Sequence, residues 1–124
     1  MKKTAFSIVI KVKNLPVCKA FYRDILELGE PVLDSSFRVE FKIGDSFSLI
    51  LEKNPWDVPL PPVSGRMSWL FWVGNAEKIR QKMHACGYPV PRLAHTTDQT
   101  DSAFFRFTDP EGNPFYISDQ SDNN

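Results

Sequence analysis

Ser68-Trp69-Leu70-Phe71-Trp72-Val73-Gly74-Asn75 aligns without a gap on Ser7-Ile8-Val9-Ile10-Lys11-Val12-Lys13-Asn14. Ser stands on Ser, Val on Val and Asn on Asn, at an offset of 61 positions from Ser7 to Ser68. In both copies a run of β-branched or aromatic residues stops just short of an Asn, whose side chain is a good helix N-cap. The two stretches therefore predict the same strand-to-helix junction twice, and the fold follows from that duplication.

Reading outward from the first copy, Pro16 lies in the opening helical turn, where a missing N–H costs nothing. Leu15, Cys18, Phe21, Tyr22, Ile25 and Leu26 then recur at three- and four-residue spacing, which gives the helix one apolar face. Gly29 suits the left-handed position that ends it. Val32-Leu33, the alternating run Arg38–Ile43 and, after a turn at Gly44-Asp45, Phe47–Glu52 read as about three strands. Residues 54–65 carry Pro55, Pro59, Pro61 and Pro62 and predict a stiff connector, since prolines are excluded from central strands.

The second copy repeats the plan. Its helix runs from Ala76 through Ile79, Met83 and Cys86 to Gly87, and Pro89-Val90 echoes Pro31-Val32. A polar loop is expected at Ala94–Ser102, then a strand at Ala103–Phe107, a turn at Asp109–Asn113 and a last strand at Phe115–Ser118. The expected fold is α+β, a single domain over 1–124. Two βαβββ modules, 4–53 and 66–119, form a cupped mixed sheet with the helices on its outer face. Two copies are too few for a solenoid, which needs about three repeats or more.

Fifteen basic residues balance fifteen acidic ones, so nothing marks a nucleic-acid partner. No apolar run approaches the roughly 20 residues of a membrane span, and Lys11 and Lys13 interrupt the stretch after the basic N-terminus. The expected location is cytoplasmic, without a membrane partner. In that reducing setting Cys18 and Cys86 read as small buried hydrophobes, with a disulfide left open.

Three features together resemble the vicinal oxygen chelate superfamily, which includes glyoxalase I, bleomycin resistance proteins and extradiol dioxygenases. They are Ile10–Leu15 running into Ala20-Phe21-Tyr22-Arg23-Asp24-Ile25-Leu26, the turn Phe107-Thr108-Asp109-Pro110-Glu111-Gly112-Asn113, and the duplication itself. The resemblance implies a ligand held in the cup, often completed by a second subunit, hence a homodimer. It also implies, for metal-dependent members, one His, Gln or Glu ligand on the first and last strand of each module. Those positions fall here on Ser7, Ser68 and Tyr116, with the fourth on Ile50 by hydrophobic register or on Ser48 counted from Gly44. Glu52 shares that strand. A metal site is therefore expected to be lost, with no cofactor.

His84 falls off the apolar helix face, and His95 lies in the polar loop near Asp98 and Asp101, where a solvated loop competes with a ligand cluster. Period-two alternation places Ser7, Val9, Arg38, Glu40, Ile50, Glu52, Ser68, Leu70, Trp72 and Tyr116 on the cup lining, while Ile8-Ile10-Val12 and Trp69-Phe71-Val73 face the helices. Such a lining can stack on a planar or amphipathic organic molecule and fix it by a few hydrogen bonds. The expected function is metal-independent binding of such a small molecule, and an enzyme is not favoured. The alternatives are a lyase, isomerase or dioxygenase of the superfamily with an unusual or missing metal, and a non-catalytic structural or regulatory subunit whose cup is filled by side chains.

Overall fold

A computed structural model of the chain describes residues 4–55, 58–60, 67–89, 92–96 and 103–120. It divides into two compact units, Met1–Pro62 and Val63–Asn124, and the architecture is α+β with one four-stranded mixed sheet in each.

In the first unit, β1 (Phe6–Val12) leads into α1 (Leu15–Ala20), which continues as a wider π-helical turn over Phe21–Ile25. There the Leu26 N–H reaches back five residues to the Phe21 carbonyl at 3.1 Å. The helix starts where Asn14 predicts, its side-chain oxygen accepting the Val17 N–H at 3.2 Å. Three strands follow, β2 (Leu33–Asp34), β3 (Arg38–Lys42) and β4 (Phe47–Lys53). The sheet order is β1-β4-β3-β2, with β1 parallel to β4 and the other pairs antiparallel. Alternation sorts the faces as expected. Ile10 and Val12 are buried with Cys18, Phe21 and Tyr22 on the helix side, while Ser7, Val9 and Lys11 are exposed on the other.

The second unit repeats this order with β5 (Trp69–Val73), α2 (Ala76–Ala85), β6 (Arg92–Thr96), β7 (Ala103–Thr108) and β8 (Pro114–Asp119), arranged β5-β8-β7-β6. Asn75 caps α2 through the Lys78 N–H at 3.0 Å, as Asn14 caps α1. Asp119, at the end of β8, accepts the Ala76 N–H at 2.6 Å and satisfies another of the open amides at that helix start. Phe71, Phe115 and Ile117 on the strands are buried, and so are Ile79 and Met83 of the apolar helix face.

The Asp109–Asn113 turn joins β7 to β8 and is held by one buried carboxylate. Asp109 accepts the backbone N–H groups of Glu111 and Asn113 at 2.9 and 3.0 Å, and the Asn113 side-chain amide at 2.8 Å. Gly112 sits at φ +90°, a conformation that side chains with a Cβ resist.

Three expectations are corrected. The stretch from Ala94 is no loop at its start, since β6 runs to Thr96 and carries His95 in a strand; its register against β7 shifts between Leu93 and His95. Cys86 is exposed at the C-terminal end of α2, past its last buried residue, so only Cys18 is the buried hydrophobe expected; the two are not joined in a disulfide. Ser68 precedes β5 rather than lying within it. The connector begins with a buried Asn54, whose amide donates to the Pro55 and Val58 carbonyls at 3.1 and 2.7 Å. Trp56, residues 61–65 and the stretch 97–102 lie outside the described residues. Among the described residues no helix is long and apolar enough to cross a membrane.

Candidate functional site

Cross-strand register shows which of the expected lining residues share a face. On the first sheet three rows run across β1, β4 and β3: Ser7–Ser48–Lys42, Val9–Ile50–Glu40 and Lys11–Glu52–Arg38. All six lining residues assigned to this unit fall in these rows. Ser7 and Ser48 close on each other through a 2.7 Å hydroxyl hydrogen bond. Val9 is half exposed over the buried Ile50.

The third row is electrostatic. Lys11 Nζ donates to Glu52 Oε1 at 2.8 Å, and Arg38 stands opposite Glu52 on the neighbouring strand. The Lys11 hydrogen bond, then its charge, then the charge of Arg38 hold the Glu52 carboxyl below the usual glutamate range. The stabilisation linked to this shift is present above the ordinary glutamate pKa and is lost as pH falls through the lowered folded value. Lys11→Gln is therefore expected to raise the Glu52 pKa toward the ordinary range, measured by carboxyl-carbon NMR. An unchanged titration in that variant would show that Lys11 does not set it.

On the second sheet the rows are Leu70–Tyr116–Arg106 across β5, β8 and β7, and Trp72–Ser118 across β5 and β8. Arg106 on β7 thus shares the face of Tyr116. Trp72 is 53% exposed although it sits mid-strand, and Tyr116 is half-buried one row away. Beneath this surface Ser118 is fully buried, and its hydroxyl has no hydrogen-bond partner among the described residues. Ser68, just outside β5, is exposed.

The choice between Ile50 and Ser48 is resolved by how each module closes. The Asn54 N–H meets the Val12 carbonyl at 2.8 Å, and the Gln120 N–H meets the Val73 carbonyl at 2.7 Å. Ile50 and Tyr116 each lie four positions before that closing residue, so Ile50 is the counterpart of Tyr116. The positions that the resemblance assigns to metal ligands therefore carry Ser7, Ile50, Ser68 and Tyr116. Two hydroxyls, a hydrocarbon and a phenol do not fit a divalent ion, which wants several imidazole, carboxylate or thiolate donors on one point. Among the described residues no three His, Cys, Asp or Glu side chains gather elsewhere to replace them.

Comparison with known proteins agrees with this plan. Lactoylglutathione lyase from Agrobacterium tumefaciens has a similar structure, with a TM-score of 0.65 at 22% identity over 96% of this chain and 95% of that one. A glyoxalase/bleomycin resistance protein from Albidiferax ferrireducens gives 0.67 at 18% identity over 92% and 97%. One from Catenulispora acidiphila gives 0.65 at 13% over 96% and 100%. At these identities the likeness is one of fold. No curated protein matches the chain significantly in sequence. The profile of one family matches residues 5–117, nearly the full length, and the chain belongs to the Glyoxalase/Bleomycin resistance protein/Dioxygenase superfamily.

Proposed function

We propose that the protein binds a planar or amphipathic organic molecule without a metal, on the sheet faces that carry Ser7, Val9, Arg38, Glu40, Ile50 and Glu52 in one unit and Leu70, Trp72 and Tyr116 in the other, with Ser68 just before β5. The observation that carries this reading is the donor set Ser7, Ile50, Ser68 and Tyr116, hydroxyl and hydrocarbon where metal ligands would stand. Two further features favour binding over catalysis. Glu52 is tied to Lys11 and held ionised, which makes it a weak base, whereas a general base works best with a pKa near the operating pH. Trp72 offers an exposed indole on a rigid strand, a surface suited to stacking.

The test is a tryptophan-fluorescence titration against a panel of planar drugs and metabolites. A saturable response is expected for at least one, and Trp72→Ala should weaken it by about tenfold, the loss of one aromatic contact of roughly 1.4 kcal/mol. Unchanged affinity in that variant, with its circular dichroism intact, would remove Trp72 from the site.

A further inference from the structure

The duplicated modules carry opposite charge at one equivalent place. In the first unit the row through Ile50 reads Val9–Ile50–Glu40–Leu33 across β1, β4, β3 and β2. Its counterpart in the second unit reads Leu70–Tyr116–Arg106–Arg92 across β5, β8, β7 and β6. Arg106 therefore stands where the first module has Glu40, and Arg92 where it has Leu33.

Register sets these two arginines directly opposite each other, and like charges so placed destabilise a sheet. The adjacent row holds Trp72, Ser118 and Phe104, with no acid to offset them. The acids that end β7 and β8 are engaged elsewhere. Asp109 accepts three N–H groups within its turn, and Asp119 accepts the Ala76 N–H at the start of α2. Among the described residues no carboxylate pairs with Arg106, which is exposed. The first sheet differs, since Lys11 pairs there with Glu52 and Arg38 stands opposite the same carboxylate.

We infer that the face of the second sheet takes a planar aromatic acid, its oxyanion on Arg106 with Arg92 as the second cation of the row, and its rings over Leu70, Tyr116 and Trp72. The inference rests on metal-free binding at the same face and adds the charge of the ligand. Arg106 and Tyr116 are direct cross-strand neighbours, about 5 Å apart at Cβ, and Trp72 is diagonal to Tyr116 at about 7 Å. An acid group joined directly to a two-ring aromatic therefore reaches Arg106 while its rings cover Tyr116 and extend toward Trp72. A guanidinium fork meets a carboxylate or a phosphate through two parallel hydrogen bonds, which a lysine ammonium does not match.

The full-length ¹⁵N-labelled protein is titrated with the β-isomers of naphthoate and naphthyl phosphate, and of naphthamide and naphthylmethylamine as neutral and cationic counterparts. Saturable shifts of the Leu70, Arg106, Tyr116 and Ser118 amides are expected with the anions at about millimolar concentration, and binding weaker by about tenfold or more with the other two. Arg106→Gln should weaken the anions by about tenfold, Arg106→Lys should recover only part of that loss, and added salt should weaken them in the unaltered protein. The urea midpoint of Arg106→Gln should not fall, since the substitution removes a like-charged neighbour. Whichever anion binds more tightly names the acid group within the same inference. Equal binding of the amide or the amine, or anion binding that Arg106→Gln leaves unchanged, would overturn the inference while leaving metal-free binding at the face intact. No saturable response to any of the four would also overturn it, and the panel titration with Trp72→Ala then shows whether binding at the face falls with it.

Discussion

Phe115→Ala is expected to lower the unfolding free energy by about 4 kcal/mol, read as a fall in the midpoint of urea denaturation at unchanged slope. Phe115 is fully buried in β8. Its ring centroid lies 4.1 Å from that of Phe107 and 5.5 Å from that of Phe71, both in edge-to-face geometry. Truncation removes the apolar area of a whole ring, two aromatic pairings and the filling of the space between β5, β7 and β8. The neighbours are themselves large rings on paired strands, so the sheet cannot collapse around the void. Phe115→Leu should cost less than half as much, because most of the volume remains. A loss below about 1 kcal/mol for the alanine variant would mean that the described packing around Phe115 is not the core of this unit.

Asp109→Ala should cost about 3 kcal/mol by the same measurement, a large effect for a turn residue. The carboxylate is nearly fully buried and accepts three N–H groups at once. Alanine would strip those donors of their acceptor while leaving them inside the structure. The turn also holds Gly112 at φ +90°, so no relaxed alternative is close by. Asp109→Asn separates charge from geometry. One amide oxygen can still accept the two backbone N–H groups, but its NH₂ would face the Asn113 amide donor. The expected loss is about half that of alanine, and equal losses would show that the negative charge matters more than the hydrogen-bond pattern.

The duplicated junction was readable because it uses local chemistry. Asn14 and Asn75 cap their helices through side-chain contacts that sequence spacing specifies, and the alternation of Ser7, Val9 and Lys11 against Ile8, Ile10 and Val12 needs only a pleated strand. The equivalence of Ile50 and Tyr116 was not readable from the turns. Counting from Gly44 and from Gly112 gives different answers because the two modules leave those turns with different spacing, and only the closing hydrogen bonds of Asn54 and Gln120 fix the register. The strand at Arg92–Thr96 was hidden by its polar residues and by the register shift beside His95, which breaks the period of two. The π-helical turn left no trace, since residues at Phe21, Tyr22 and Ile25 satisfy an ordinary helical spacing. Cys86 was misplaced because its spacing continues the apolar face one step beyond the helix itself.

The ion pair on the first sheet shows the same limit. Glu52 was assigned to one face by alternation, but its contact with Lys11 depends on β1 pairing parallel to β4 in a single register. Without that register Glu52 reads as a spare carboxylate that a metal or a proton transfer could use. With it, the group is already engaged.

The central claim is that ligand binding on these faces needs no metal, and the most direct measurement is a fluorescence titration of a ligand from the panel before and after chelation. Protein treated with EDTA and dialysed should bind with the same affinity as untreated protein, and added Zn²⁺, Ni²⁺, Fe²⁺ or Mn²⁺ should not change it. Loss of binding on chelation, restored by one of those ions at stoichiometric amount, would contradict the account.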